Sequence, residues 1–163
     1  MYRRRRSFSR RIKSVRYSNE TMNYINNVQS MPAGNTFEAN GILIPSVANQ
    51  GTRKVKNFDL QFMYGTLPAP TAFCLVYVPE GQNPSAMTLS AGGDPASLYE
   101  PNQNVIMSGI LPPEANTTIH FRTRLARNLN SGDTIQLVLK TIDGASQEIS
   151  FGFYAQLNYA IAY

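Results

Sequence analysis

The sequence predicts an all-β protein: a single eight-stranded jelly-roll sandwich, residues 18–163, behind a disordered basic N-terminal arm, residues 1–17. Proline and glycine punctuate residues 17–163 at short intervals, and the segments between them are rich in β-branched and aromatic residues, which favours strands. No window of twelve or more residues has the apolar spacing of a long helix. About eight strands with irregular, sometimes long connections favour a jelly roll over a simple meander.

The clearest strand is predicted at the C-terminal end. Apolar or aromatic side chains alternate with small or polar ones throughout residues 149–163, a period of two that a helix would scatter around its circumference. This pattern predicts one long strand, or two strands joined by a bulge near Gly152. Residues 135–140 alternate in the same way, and Asp143-Gly144 lies between the two segments, so we expect a hairpin. Asn40-Gly41 is expected to form another tight turn.

The earlier strands are predicted from shorter patterns. Thr71–Val78 is a nearly continuous apolar run, which is expected of a strand buried on both faces, and Cys74 at its centre is expected to be a buried thiol. Alternation in residues 58–64 predicts a strand with one apolar and one polar face. Further strands are expected at residues 20–30, 36–46, 104–110 and 117–125.

Composition excludes several kinds of site. The 163 residues are enough to bury a core, and they include one cysteine, one histidine and no tryptophan. A single cysteine excludes a disulfide framework and multi-cysteine metal sites, and a single histidine excludes sites that need two or three. No apolar run approaches the roughly eighteen residues of a membrane span, and the charged start lacks the apolar stretch of a secretory signal. We therefore expect no metal, no cofactor and no membrane partner.

Charge is distributed unevenly along the chain. The net charge of +5 combines an arm that carries eight basic residues and no acid with a body in which seven basic residues face all ten acidic ones, a formal −3. The basic residues of the arm are Arg3, Arg4, Arg5, Arg6, Arg10, Arg11, Lys13 and Arg16.

The arm is predicted to bind nucleic acid. Its guanidinium groups are too closely spaced to be buried in pairs, and each one can donate two hydrogen bonds to a phosphate. Tyr2 and Phe8 lie among the charges and could stack on unpaired bases. No base-reading element is visible, so binding should be largely independent of sequence. An organelle transit peptide, a nuclear localisation signal and a solvated tail are the alternative interpretations of the same residues.

A second basic feature lies in the body. Ile119, Phe121 and Leu125 are expected on one face of a strand. The opposite face is expected to carry basic residues that either extend the positive surface of the arm or form an ordinary solvated strand face. These candidate nucleic-acid-binding residues are His120, Arg122, Arg124 and, just beyond, Arg127. Three further basic residues are expected to be an ordinary solvated strand end: Arg53, Lys54 and Lys56.

No catalytic constellation is visible. His120 has no recognisable triad partners, no GxSxG elbow is present, and Walker and GxGxxG patterns are missing from the sequence. We therefore expect that the protein is not an enzyme.

Three segments together resemble a known family. The arm MYRRRRSFSRRIKSVR is similar to the Arg-rich N-termini of the capsid proteins of small circular single-stranded DNA viruses, the circovirus-like group. LYEPNQNVIMSG, residues 98–109, resembles their Tyr-x-Pro-x-Gln segment, which leads into a strand. RTRLARNLNSGDTIQLVL, residues 122–139, resembles their basic strand and the Leu-x-x-Gly-Asp turn after it, here Leu129 to Asp133. The chain is shorter than typical members and lacks tryptophan, so a satellite or other tiny virus, including one that packages RNA, stays open.

The resemblance implies a structural coat protein. It implies a jelly roll of two four-stranded sheets that assembles into an icosahedral shell of 60 copies, with the arms on the inner surface against the genome, which is single-stranded DNA in this family. It also implies a virion location, and a host nuclear stage in which the arm binds an import receptor. Two other function classes remain open: a non-viral nucleic-acid-binding β-barrel, such as a ribosome-associated factor or single-strand binder, and a β-sandwich enzyme behind a transit peptide. The net-negative body weighs against the first of these.

Overall fold

The computed structural model describes residues 15–48, 51–82, 104–115 and 117–162, and within them the chain forms eight strands and no helix. None of these residues therefore belongs to a helix that could cross a membrane. The strands are β1 (Ser18–Met31), β2 (Glu38–Ile44), β3 (Arg53–Tyr64), β4 (Thr71–Val78), β5 (Val105–Leu111), β6 (Ile119–Leu129), β7 (Thr134–Thr141) and β8 (Ile149–Ala162).

The strands form two antiparallel four-stranded sheets. The first sheet has the order β1-β8-β3-β6, and the second has the order β2-β7-β4-β5. Every connection except the one between β4 and β5 therefore passes from one sheet to the other. This interleaving of two four-stranded sheets is the jelly-roll topology, so the predicted fold is confirmed.

Alternating apolar side chains of the two sheets pack face to face. Phe62 of the first sheet meets Phe73 of the second at a ring-centroid distance of 5.0 Å, and Phe121 lies 4.5 Å from Phe73. Gly109 of β5 makes room for this cluster, because a Cβ there would lie 2.7 Å from the Phe73 ring. The period-two patterns of the sequence therefore place large apolar side chains between the sheets, as expected.

β4 is buried on both faces, as its apolar run predicts. Phe73 and Leu75 belong to the core between the sheets. Cys74, which is 1% exposed, alternates with them and packs with Val76 and Val138 on the side of the second sheet that faces away from the first. The prediction of a buried thiol is confirmed.

The predicted hairpin between residues 135–140 and 149–163 is wrong. β7 lies in the second sheet between β2 and β4, whereas β8 lies in the first sheet between β1 and β3. The link between β7 and β8 crosses the sandwich and is held by paired backbone hydrogen bonds: Gly34 N donates to Ala145 O at 2.8 Å, and Ala145 N donates to Asn35 O at 3.0 Å. Both hydrogen-bonding edges of β7 are occupied, one by β2 and the other by β4, so no edge is left for β8.

Asn40-Gly41 is not a turn but the middle of β2. Gly41 lies against the ring of Tyr24 on β1, and a Cβ at this position would collide with Tyr24 Cε2. The Tyr24 hydroxyl donates to Asn40 O at 3.3 Å. Gly41 therefore allows the edge strands of the two sheets to approach each other closely, which is one of the roles of glycine within a strand.

The Leu-x-x-Gly-Asp segment forms the turn between β6 and β7. Asp133 is 4% exposed, and its carboxylate accepts hydrogen bonds from Asn130 N at 2.7 Å, Glu80 N at 3.1 Å and the Tyr77 hydroxyl at 2.6 Å. Gly132 adopts φ 87°, a conformation that favours glycine. Burial, together with the Asp133 hydrogen bond and charge, raises the pKa of Tyr77 to about 12. The carboxylate thus ties the turn to the end of β4.

Candidate nucleic-acid interface

His120, Arg122 and Arg124 lie on one face of β6, as predicted, and point away from the second sheet. All three are exposed, whereas Ile119 and Phe121, which alternate with them, are partly buried against the core. β6 is the outermost strand of the first sheet, so its basic side chains line one margin of the sandwich.

Asp59 on the neighbouring strand β3 organises these side chains. Arg122 Nε lies 3.1 Å from Asp59 Oδ2, and His120 Nδ1 lies 3.6 Å from Asp59 Oδ1. Arg122 remains 72% exposed in this pair, so its guanidinium stays open to a further anion. An ion pair with so much solvent around it contributes little to stability, about 0–1 kcal/mol, so its main effect is to orient Arg122.

A β-bulge interrupts the pairing of β3 with β6. Lys56 pairs with Ala126 and Phe58 pairs with Thr123, so Arg124 and Leu125 together oppose Asn57 alone. Asn57 adopts φ 56°, which asparagine tolerates better than most residues. The alternation of β3 shifts by one position here, since Val55 and Phe58 are both buried, whereas on β6 Phe121 and Arg127 stay on the same side.

Two sequence predictions about this part of β6 are wrong. Leu125 does not face the core but is 45% exposed. Arg127 does not share the face of His120, Arg122 and Arg124: it pairs with the buried Val55, and its Nη2 donates to Val105 O at 3.4 Å. Arg127 therefore belongs to the margin between the two sheets rather than to the exposed surface of the first sheet.

The expectation of an ordinary solvated strand end at residues 53–56 also needs correction. Arg53 is 4% exposed and lies on the core side, where its Nη2 donates to Pro45 O at 3.1 Å. Lys54 and Lys56 lie on the outer side, directly opposite Asn128 and Ala126 of β6. We define the basic face as the outward side chains Lys54, Lys56, His120, Arg122 and Arg124.

The start of β1 reaches the same face. The Lys56 ammonium lies 3.6 Å from the centroid of the Tyr17 ring, a cation–π contact that spans the width of β8. Tyr17 therefore lies over the first sheet on its outer side, and Arg16, next to it, is exposed. The other seven basic residues of the arm lie outside the described residues.

The free positive charges of the body are concentrated on the basic face. Of the seven basic residues beyond the arm, four (two lysines and two arginines) are on it. Arg53 and Arg127 face inward, and Lys140 on the second sheet lies 3.7 Å from Glu38. Among the residues that the structure describes, Asp59 is the one carboxylate that a strand of the first sheet presents on this side. The basic face is therefore locally cationic although the body is formally acidic.

A shallow depression lies within the basic face. It has a volume of about 460 Å³ and is lined by residues on both sides of the bulge, including Asn57, Asp59, Arg122 and Arg124. An open, cationic depression on a strand surface suits a phosphate group of an extended polyanion better than an enclosed small molecule.

The chain shows remote similarity to solved virus structures. No protein-family model matches it, and no curated protein matches it in sequence. Infectious bursal disease virus Gx strain matches at 9% identity and a TM-score of 0.43, covering 91% of this chain and 32% of that chain. Desmodium yellow mottle tymovirus matches at 11% identity and a TM-score of 0.35, covering 89% of this chain and 88% of that chain. This chain thus spans about a third of the first and most of the second, and its jelly-roll assignment rests on its own strand order.

Proposed function

We propose that the protein is a structural, non-catalytic viral capsid protein. Its jelly-roll domain would assemble into an icosahedral shell, in the simplest case of 60 copies, and its Arg-rich arm would package single-stranded nucleic acid. The observation that carries the proposal is the Tyr17–Lys56 contact: the chain enters β1 over the basic face, so the eight basic residues of the arm precede a cationic surface of the folded domain directly.

The division of labour between arm and domain supports this function. The two sheets bury apolar side chains from all eight strands between them, so we expect the fold not to depend on the arm. Within the part of the body that the structure describes, the outward basic side chains of the first sheet lie on the basic face, which leaves the other surfaces for contacts between copies. Many arms gathered inside one shell would bind a single long polyanion by avidity, even where each arm binds weakly.

The finer proposal follows the family resemblance. We propose a circovirus-like single-stranded DNA genome as cargo, a virion location, and a stage in the host nucleus that is reached when the arm binds an import receptor. Arginine and lysine recognise phosphate rather than the sugar, so the residues of the arm do not distinguish DNA from RNA. The cargo is identified by extracting the nucleic acid from the particles.

Assembly of the expressed full chain tests the proposal. We expect electron microscopy and sedimentation to show uniform particles, and we expect nuclease-treated particles to release protected nucleic acid. A variant with the eight basic residues of the arm changed to glutamine should keep its circular dichroism spectrum and lose the protected nucleic acid. A protein that stays monomeric across pH and salt, with or without added nucleic acid, would contradict the capsid function.

A second candidate function is a non-viral single-strand-binding protein. The basic face favours it, because a cationic sheet surface on the folded domain could bind a strand without any shell. The two functions differ in stoichiometry: such a protein would bind an oligonucleotide as a monomer or small oligomer and protect only the length that it covers. The same sedimentation experiment therefore separates the two.

A further inference from the structure

The outer side of the first sheet changes in chemistry along its strands. Beyond the basic face, the register aligns Asn23, Gln156 and Gln61 across β1, β8 and β3, and this row ends at His120 on β6. We call these three side chains the amide row. One row further, Ile25 and Met63 lie on either side of Tyr154, and we call these three the apolar row.

The apolar row is open to solvent. Ile25 is 64% exposed and Met63 is 57% exposed, and a depression of about 380 Å³ lies between them and Tyr154. With Tyr154 between them, Ile25 and Met63 form a contiguous apolar patch on an otherwise polar strand face, and such patches are a feature of binding surfaces.

Hydrogen bonds hold the aromatic ring of this row in place. The Tyr154 hydroxyl donates to Asn23 Oδ1 at 2.6 Å, and Gln156 Nε2 donates both to Asn23 Oδ1 at 3.1 Å and to the Tyr154 hydroxyl at 3.2 Å. The ring is therefore preorganised, and little conformational entropy would be lost if a flat group stacked on it.

We infer that the apolar and amide rows bind unpaired nucleobases of the strand whose phosphates contact the basic face. A base offers an apolar π-face, which fits the apolar row, and a polar edge with donors and acceptors, which fits the amide row beside it. The row of Asp59 and Arg122 is four residues from the Tyr154 row along the strands, about 14 Å at the rise of a β-strand. This inference rests on the proposed function, because it takes nucleic acid to be the partner.

Charge complementarity favours a nucleic acid over another protein on this side of the sheet. The apolar row is continuous, through the amide row, with the cationic groups to which the arm also leads. A duplex hides the faces of its bases, so the two rows would contribute only to the binding of single strands.

Binding of matched oligonucleotides to the full chain tests the inference. The probes are a fluorescent 20-nucleotide thymidine strand and an abasic strand of the same length, which carries the same phosphates without bases. Wild type should bind the thymidine strand more tightly. Tyr154→Ala should weaken binding of the thymidine strand about 5- to 150-fold, the range for loss of one stacked base, and leave abasic binding unchanged.

Two further variants control for structure. Tyr154→Phe keeps the ring and should keep most of the preference for bases. Ile25→Ala should reduce that preference, whereas Ile42→Ala, which truncates an equally exposed side chain on the second sheet, should not. Thermal unfolding of each variant shows whether the fold is intact.

Each outcome supports or overturns the inference. Equal loss of both probes in Tyr154→Ala, or no loss of either, would overturn it. Reduced particle yield with unchanged oligonucleotide binding would show instead that the apolar row is a contact between copies. If wild type bound neither probe and formed no particles, the proposed function itself would fail, whereas a wild type that binds and assembles without preference for bases overturns the inference alone.

Discussion

Removing the four permanent charges of the basic face is expected to reduce the salt dependence of nucleic-acid binding by a calculable amount. The variant is Lys54→Gln, Lys56→Gln, Arg122→Gln and Arg124→Gln in the full chain. Each contact between a cation and a phosphate of a single strand contributes about −0.7 to the slope of log K against log salt concentration. With eight contacts from the arm and four from the face, wild type should have a slope of about −8.4 and the variant about −5.6.

The difference is large enough to measure by fluorescence anisotropy. Doubling the salt concentration should weaken binding of a single-stranded oligonucleotide about 340-fold for wild type and about 50-fold for the variant. Glutamine is preferred to alanine because it can still donate a hydrogen bond to Asp59, which limits the structural damage at position 122.

A matched variant removes a lysine from elsewhere in the body. Lys140→Gln lies on the second sheet and loses only its contact with Glu38, so its slope should equal that of wild type. If the fourfold variant also kept the wild-type slope, the basic face would not contact phosphates and binding would depend on the arm alone. If Lys140→Gln reduced the slope as much as one basic-face residue does, the positive charge of the body would act without regard to position.

Three predictions concern the fold. Gly41→Ala should lower the free energy of unfolding, measured by urea denaturation, by about 1–3 kcal/mol because its Cβ would collide with the Tyr24 ring. Gly65→Ala, at a position where nothing lies within 4 Å, should change it by less than about 0.5 kcal/mol. Equal effects of the two substitutions would refute the packing argument. Asp133→Ala should cost about 3 kcal/mol because three donors lose their buried acceptor, and a loss below about 1 kcal/mol would contradict this. Tyr77 has a pKa of about 12 in the folded state and about 10 when unfolded, so its contribution to stability is complete below pH 10 and is lost as the pH rises to 12. Tyr77→Phe should therefore remove this contribution to the fall in the free energy of unfolding at alkaline pH.

Most of the strands could be predicted from the sequence because burial on one face imposes a period of two. The alternation in β8 and in the second half of β3, and the continuous apolar run of β4, are direct consequences of where each strand lies in the sandwich. Pairing partners could not be predicted in the same way. β7 and β8 are neighbours in sequence and both alternate, yet they belong to different sheets, because alternation reports which face is buried and says nothing of which strand lies alongside.

Alternation predicts the faces of the basic residues of β6. His120, Arg122 and Arg124 follow the alternation that Phe121 sets, and the structure places all three outward. Arg127 lies an odd number of positions beyond Arg124, so the same alternation turns it inward, opposite the buried Val55. The exposure of Leu125 was not predictable in this way, because nothing at positions 124–125 resembles the glycine that often marks a bulge. Asn57, which lies opposite these two residues with φ 56°, is the signal that could have been used.

The apolar residues at the far end of the first sheet were equally hidden. Met63 interrupts the polar side of a strand whose nearest outward residues are Asp59 and Gln61, and Ile25 interrupts the polar side of β1 in the same way. In the sequence each of them is a single apolar residue at a polar position, and one exposed apolar residue does not indicate a binding surface. Only the register brings them together on either side of Tyr154, since the two strands that carry them are separated by β8.

Net charge is a poor guide to the local charge of the body's surfaces, and the fold explains why. A formal charge of −3 weighs against contact with a polyanion only if positive and negative charges are mixed over the surface, and here they are segregated. Arg53 and Arg127 face inward and Lys140 is paired with Glu38, whereas the other four basic residues of the body share one face. Because the screening length at physiological salt is about 8 Å, a phosphate on that face responds to the nearby cations more strongly than to carboxylates on the second sheet. Under the proposed function, the arm and the basic face are expected to act on the same strand, and their contributions separate only when one is removed and the other kept.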